Sequence, residues 1–160
     1  MSEMLLLITG ASATGKSTFT RWLESAHGYI RFASDEPGFD LRMALSAAAT
    51  SPDVVLDWAI PARAIPIAEE VIARGFEAWW FAGDRKTTRE VFLARDDPEH
   101  PARLEHYTRY MNEVDEFWPM YQSLFDDRYL EVLRPGPWHM PNEERLAHIE
   151  AYSRPASSET

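Results

Sequence analysis

The apolar positions of this chain follow two alternating patterns: short unbroken runs, and longer stretches in which they recur every three or four residues. Leu5 to Ile8 is the first run, with the character of a parallel strand covered on both faces. From Ser17 the spacing becomes helical, and Thr18 to Ala26 predicts a first helix ended by His27-Gly28. Tyr29 to Ala33 reads as a second strand, followed by a polar turn over Ser34 to Gly38. Phe39 to Ala49 is again helical, with Leu41, Met43, Ala44, Leu45 and Ala48 on its apolar positions. Thr50 to Asp53 break it, and Val54, Val55 and Leu56 form a third strand that stops on Asp57.

Pro61 and Pro66 restrict where the next helix begins. Ile67, Ala68, Val71 and Ile72 give it an apolar side, and Arg74-Gly75 ends it. In Phe76 to Ala82, FEAWWFA, Trp79 and Phe81 alternate with Trp80, so both faces are apolar and a central strand is predicted. The tryptophans read as core rather than as a base-stacking platform. Gly83 and Asp84 turn the chain out of the sheet, and Thr87 or Thr88 is expected to cap a helix running through Leu93. Asp96 to Pro101 is a charged connection in which a short lid fits. Ala102 to Phe125 is helical, with Pro119 predicting an interruption. Tyr129 to Leu133 is a fifth strand, ended by Arg134-Pro135-Gly136-Pro137, and Asn142 is expected to cap a last helix through about Ala151. These elements predict one α/β domain over residues 1–152, with a polar tail at 153–160.

With 160 residues, the chain can bury a sizeable core but has little room for a second domain. Sixteen basic residues stand against 26 acidic ones, a formal charge of −10, which argues against broad electrostatic adhesion to nucleic acid. The absence of cysteine removes disulfides and thiolate chemistry and is compatible with a cytoplasmic setting. No apolar run is long enough to span a membrane, so no membrane partner is expected, and no obligate protein partner is inferred.

The turn between the first strand and the first helix carries the sharpest chemical signal. Gly10, Ala11, Ser12, Ala13, Thr14, Gly15, Lys16 and Ser17, followed by Thr18, match the phosphate-loop pattern G-x-x-x-x-G-K-[ST]. A strand, a loop and a helix in that order let backbone N–H groups and the helix N-terminus converge on a phosphate. Lys16 is then expected to neutralise the β and γ phosphates of ATP, and Ser17 to place its hydroxyl on Mg²⁺. Asp35, after the second strand, stands where a substrate hydroxyl approaches; it accepts the proton or holds the substrate, or else caps a turn. Asp57, after the third strand, is a candidate to orient Mg²⁺ or is an ordinary strand-end acid. Arg85, Lys86, Arg89 and Arg95 form a local basic concentration suited to stabilising charge on a transferred group, or else a solvated face paired with nearby acids. Arg103 or Arg109 can point from the later helix towards nucleotide or acceptor. The histidines show no metal-ligand spacing.

These features resemble the small phosphate-loop kinases, especially the compact nucleoside, nucleotide and polynucleotide kinase group, over most of residues 4–150. GASATGKST carries the specific part; SDEPG, VVLDW and GDRKTTREVFLAR support it by their order. The resemblance implies a three-layer P-loop NTPase fold with a mostly parallel five-stranded sheet. It also implies ATP and Mg²⁺ at Lys16 and Ser17, the acceptor at Asp35, and Arg89 or Arg95 in a lid. Phage kinases acting on hydroxymethylated pyrimidines, free or in DNA, are similar in length and in their compact lid. Some polynucleotide kinases carry an arginine three residues after the acceptor aspartate; this chain has Gly38 there, and its next arginine is Arg42. The expected activity is ATP-dependent phosphoryl transfer to a hydroxyl of a nucleoside, a nucleotide or a nucleotide unit in DNA, 5-hydroxymethyluridine among them. The setting implied is the cytoplasm of a bacterial or phage-infected cell. The alternatives are a kinase for another small alcohol, such as a sugar acid or antibiotic, and a nucleotide-responsive binding protein without transfer activity.

Overall fold

The computed structural model describes residues 4–11, 13–94 and 100–153, with the side chains of 100 and 101 not described. In chain order the elements are β1 (Leu5–Gly10), α1 (Lys16–His27), β2 (Ile30–Ala33), α2 (Leu41–Ala48), β3 (Val54–Asp57) and a 3-10 turn (Ala62–Ala64). There follow α3 (Ile65–Ala73), β4 (Glu77–Gly83), α4 (Arg85–Leu93), α5 (His100–Glu116), α6 (Trp118–Phe125), β5 (Tyr129–Arg134), β6 (Trp138–His139) and α7 (Asn142–Ser153).

The strands form one sheet in the order β2-β3-β1-β4-β5-β6. The first five pair in parallel, so their carboxyl ends open on one edge, where a doubly wound fold receives its ligands. β1 lies in the middle, with Leu6, Leu7, Ile8 and Thr9 fully buried. Its two faces feed two cores. Leu6 and Ile8, with Val55, Trp79 and Phe81, pack on Phe19 and Leu23 of α1 and on Leu146 and Ile149 of α7. Leu7, with Leu56, Ala78 and Trp80, packs on α2, α3, α5 and α6 through Ala44, Ala68, Val114 and Tyr121. The side-chain alternation of β4 sends Trp79 to the first core and Trp80 to the second, as its two apolar faces predict.

The five-stranded, mostly parallel sheet expected from the sequence is corrected to a mixed sheet of six strands. Pro135-Gly136-Pro137 does not simply end β5. It returns the chain so that Trp138 and His139 pair antiparallel with Arg134 and Leu133, and the Arg134 guanidinium lies 4.7 Å from the centre of the Trp138 ring. A two-residue strand is too short to show a period in the sequence. The predicted break near Pro119 is present: α5 ends at Glu116, and α6 begins at Trp118 with the proline in its first turn, where no N–H is needed. No helix among the described residues is long and apolar enough to cross a membrane.

Candidate functional site

The phosphate-loop residues join β1 to α1 at the open edge of the sheet, with Ser12 outside the described residues. Gly10 has φ 134°, and a Cβ there would stand 2.1 Å from the carbonyl oxygen of Phe81, so the loop can lie against β4 only without a side chain. Gly15, at φ 80°, closes the loop and caps α1. The first amides of α1 have no intrahelical acceptor and face the loop mouth. Lys16 folds back over the loop, its Nζ donating to the carbonyls of Gly10 at 3.0 Å and Ala11 at 3.1 Å.

Below the loop, Asp57 is 5% exposed at the end of β3, beside β1. Its Oδ2 accepts from the Thr20 hydroxyl at 3.1 Å and the Ser17 hydroxyl at 3.3 Å. Arg31 of β2, its side chain 4% exposed, donates from Nε to the Thr20 hydroxyl at 2.8 Å and brings Nη2 to 3.5 Å from Asp57 Oδ2. Burial pushes the Asp57 carboxyl above the usual aspartate range; Lys16, the Thr20 hydrogen bond and Arg31 oppose the rise, and the charge of Asp35 adds to it. A hydroxyl and a buried carboxylate side by side are the hard oxygen donors that Mg²⁺ takes from a protein when phosphates supply the rest, so the residues present fit that ion.

A cleft of about 290 Å³ opens over this cluster. Lys16, Ser17, Asp35 and Asp57 line one side, with Phe92 of α4 and Arg103, His106 and Tyr107 of α5 across from them. The Phe92 and Tyr107 rings stack at 4.8 Å, making a flat apolar panel in that wall. Asp35 is exposed beyond β2, close enough to Asp57 for the two charges to interact. A second opening of about 360 Å³ shares Ala13, Gly15 and Thr18 with the first and continues to Val91, His139, Pro141 and Asn142. Arg145 of α7 lines this second opening and is buried against the loop. It donates to the Thr14 carbonyl at 2.7 Å and the Met140 carbonyl at 2.8 Å, with its guanidinium 5.2 Å from the centre of the Phe81 ring. Desolvation lowers the Arg145 pKa to about 10, which leaves it charged at neutral pH.

The sequence-predicted residues are therefore only partly gathered. Gly15, Lys16, Ser17, Thr18, Asp35 and Asp57 share one cleft. Arg85 does not join them: it forms a two-pronged ion pair with Asp115 and lines a different cavity. Arg89 is exposed and does not line the cleft; Arg95 and residues 96–99 of the lid expected at 96–101 lie outside the described residues, and its last two positions, 100 and 101, open α5. Arg42 pairs with Asp40 at the start of α2. Sequence reasoning missed Thr20, Arg31 and Arg145. Arg31 interrupts the otherwise apolar strand YIRFA, which is a usable signal, whereas Arg145 sits in a charged helix and gives none.

Comparison with protein-family models finds no match, and neither does comparison with curated protein sequences. Among solved structures, the chain is similar to a gluconokinase from Sinorhizobium meliloti at 14% identity, covering 94% of this chain and 97% of that one, with a TM-score of 0.55. A sugar kinase from Janibacter matches at 15% identity, covering 97% of this chain and 96% of that one, with a TM-score of 0.54. The SH3-kinase fragment of tight junction protein 3 matches at 11% identity over 92% of this chain and 56% of that one, with a TM-score of 0.56. What the chain shares with these structures is their overall fold.

Proposed function

We propose that this protein is an ATP-dependent kinase that transfers the γ-phosphoryl group to a hydroxyl of a small acceptor, a nucleoside or nucleotide first among them. The observation that carries this reading is one cleft lined by Lys16 and Ser17 of the phosphate loop, the strand-end carboxylates Asp35 and Asp57, and Arg103 across from them. The loop amides and Lys16 would receive the β and γ phosphates, the lysine leaving the carbonyls of Gly10 and Ala11 for phosphate oxygens. The opening by Val91 and Asn142 would take the base. Ser17 and Asp57 would hold Mg²⁺, which when bound supplies charge that neutralises phosphate oxygens.

Asp35 would accept the hydrogen bond of the acceptor hydroxyl and orient its oxygen in line with the γ-phosphorus. As the new O–P bond forms, the bond to the β–γ bridging oxygen breaks; the proton passes to Asp35, and ADP leaves. Lys16 and Arg103 would offset the charge that develops on the transferred group, with Arg89 and Arg95 as candidates to cover it. A cytoplasmic setting belongs to the same proposal. A second acceptor class, a sugar acid, is supported by Arg103 and His106 on the cleft wall and by the structural likeness to a gluconokinase and a sugar kinase.

The test is a Mg²⁺-ATP transfer assay across nucleosides, nucleoside monophosphates, gluconate, and DNA carrying ordinary or hydroxymethylated bases. One acceptor is expected to give a phosphorylated product. Lys16→Ala should lower kcat by roughly 10²–10³-fold, and Asp35→Asn by roughly 10²–10⁴-fold. ADP formed at an unchanged rate without any acceptor would overturn the reading, and saturable ATP binding with no product anywhere would turn it towards a nucleotide-responsive binding protein.

A further inference from the structure

A larger cavity than the cleft or its adjoining opening lies on the other side of the phosphate loop, between the ends of β4 and β5 and helices α5 and α6. It measures about 490 Å³, within the range of small-molecule sites, and reaches Ala11 at one end. Its walls are aromatic: Trp80 and Phe125 are buried, Trp118 is half-buried and Tyr129 is exposed at the mouth. These rings stand steeply to one another. Trp80 and Trp118 are 5.4 Å apart at 68°, and Trp118 and Tyr129 are 6.1 Å apart at 78°. The rings thus form a corner rather than a stack, and a group in that corner is bordered by aromatic rings set in more than one plane.

The rim has a definite sign. Arg85, the cationic side chain on it, is already held by both oxygens of Asp115. Asp126 is exposed on the same rim, and its carboxylate makes no hydrogen bond or ion pair among the described residues. Its backbone, at φ 58° and ψ −115°, carries the turn from α6 towards β5. An anion would find no uncommitted donor charge here, whereas a cation would find aromatic rings and a carboxylate together.

We propose that this cavity is a second ligand site, which takes a small organic cation with an aromatic or apolar body, its charge set against Asp126 and the rings of Trp118 and Tyr129. The site is separate from the nucleotide cleft, and the proposal stands whether or not the kinase reading holds. Three probes of one shape and different charge test it: phenethylammonium, 2-phenylethanol and phenylacetate, titrated into the full chain and followed by NMR.

The ammonium is expected to bind saturably, the alcohol more weakly by roughly three- to tenfold, and the carboxylate not measurably. Asp126→Asn should reduce the ammonium to the affinity of the alcohol and leave the alcohol unchanged; asparagine tolerates the positive φ, so the fold is kept. Trp118→Leu should weaken ammonium and alcohol alike. Lys16→Ala should alter neither, which separates this site from the phosphate loop. Equal binding of all three probes, preference for the carboxylate, or ammonium binding indifferent to Asp126→Asn would each overturn the proposal.

Discussion

At Asp57 the candidate site works against the fold that holds it. The carboxylate is buried, and desolvation outweighs the help from Lys16, Thr20 and Arg31, so its pKa is raised. A carboxyl whose folded pKa lies above its unfolded value binds more protons in the native state through the window between the two. Stability is therefore lost as the pH rises through that window, and the cost persists in full above it. Asp57→Asn should accordingly raise Tm relative to the parent protein at neutral pH, with the gain shrinking as the pH falls towards the ordinary aspartate range. Thermal melts of both proteins from pH 4 to pH 8 check this, and a gain that does not depend on pH would show that burial of the charge is not its cause. The same substitution should lower Mg²⁺-dependent activity, because it removes the charged oxygen beside Ser17.

Among the elements, α4 shows how a local rule is decided by geometry that the sequence leaves open. The sequence offers Thr87 or Thr88 as the cap, but the N-cap is Asp84, whose Oδ2 accepts from the Thr87 backbone N–H at 3.0 Å and the Thr87 hydroxyl at 2.8 Å. Both threonines are instead buried in the first turn, with the Thr88 hydroxyl donating to the Asp84 carbonyl at 2.7 Å. Those bonds hold the Asp84 carboxyl below the usual range, the Thr87 backbone bond first among them. A depressed pKa contributes stability above the unfolded value that is lost as the pH falls through the folded one. Asp84→Ala should lower Tm by a few degrees at pH 7 and by progressively less in acid, and an acid-independent loss would point to packing instead.

The strands that pass through the core were legible because burial on both faces leaves a run such as LLLI or AWWF with no polar alternative. β6 was not legible, since its two residues are set by a turn and a ring contact rather than by a period. The turn between β1 and α1 could be placed because its pattern sets glycines and a lysine at fixed spacing between a strand and a helix. The pairing of Arg85 with Asp115 could not, because it joins α4 to a residue thirty positions further along the chain.

At the scale of the whole molecule, the phosphate loop grows out of β1, the strand shared by both cores. α1, which follows it, is packed on the same sheet through Phe19 and Leu23. A ligand held by the loop is therefore tied to both faces of the sheet at once, and its binding energy should appear as stability of the entire domain rather than of one loop. A non-hydrolysable ATP analogue with Mg²⁺ at about 100 times its Kd adds about 2.7 kcal/mol by mass action. For a chain of this size that corresponds to a rise in Tm of roughly 5–10 °C. Tryptophan fluorescence and far-UV circular dichroism should report the same shifted transition, because Trp79 and Trp80 sit on opposite faces of one strand. Lys16→Ala should abolish most of the rise while leaving the unliganded transition single. If the fluorescence transition split and only one part of it moved, the two cores would be melting separately, and the loop would stabilise its own neighbourhood rather than the sheet.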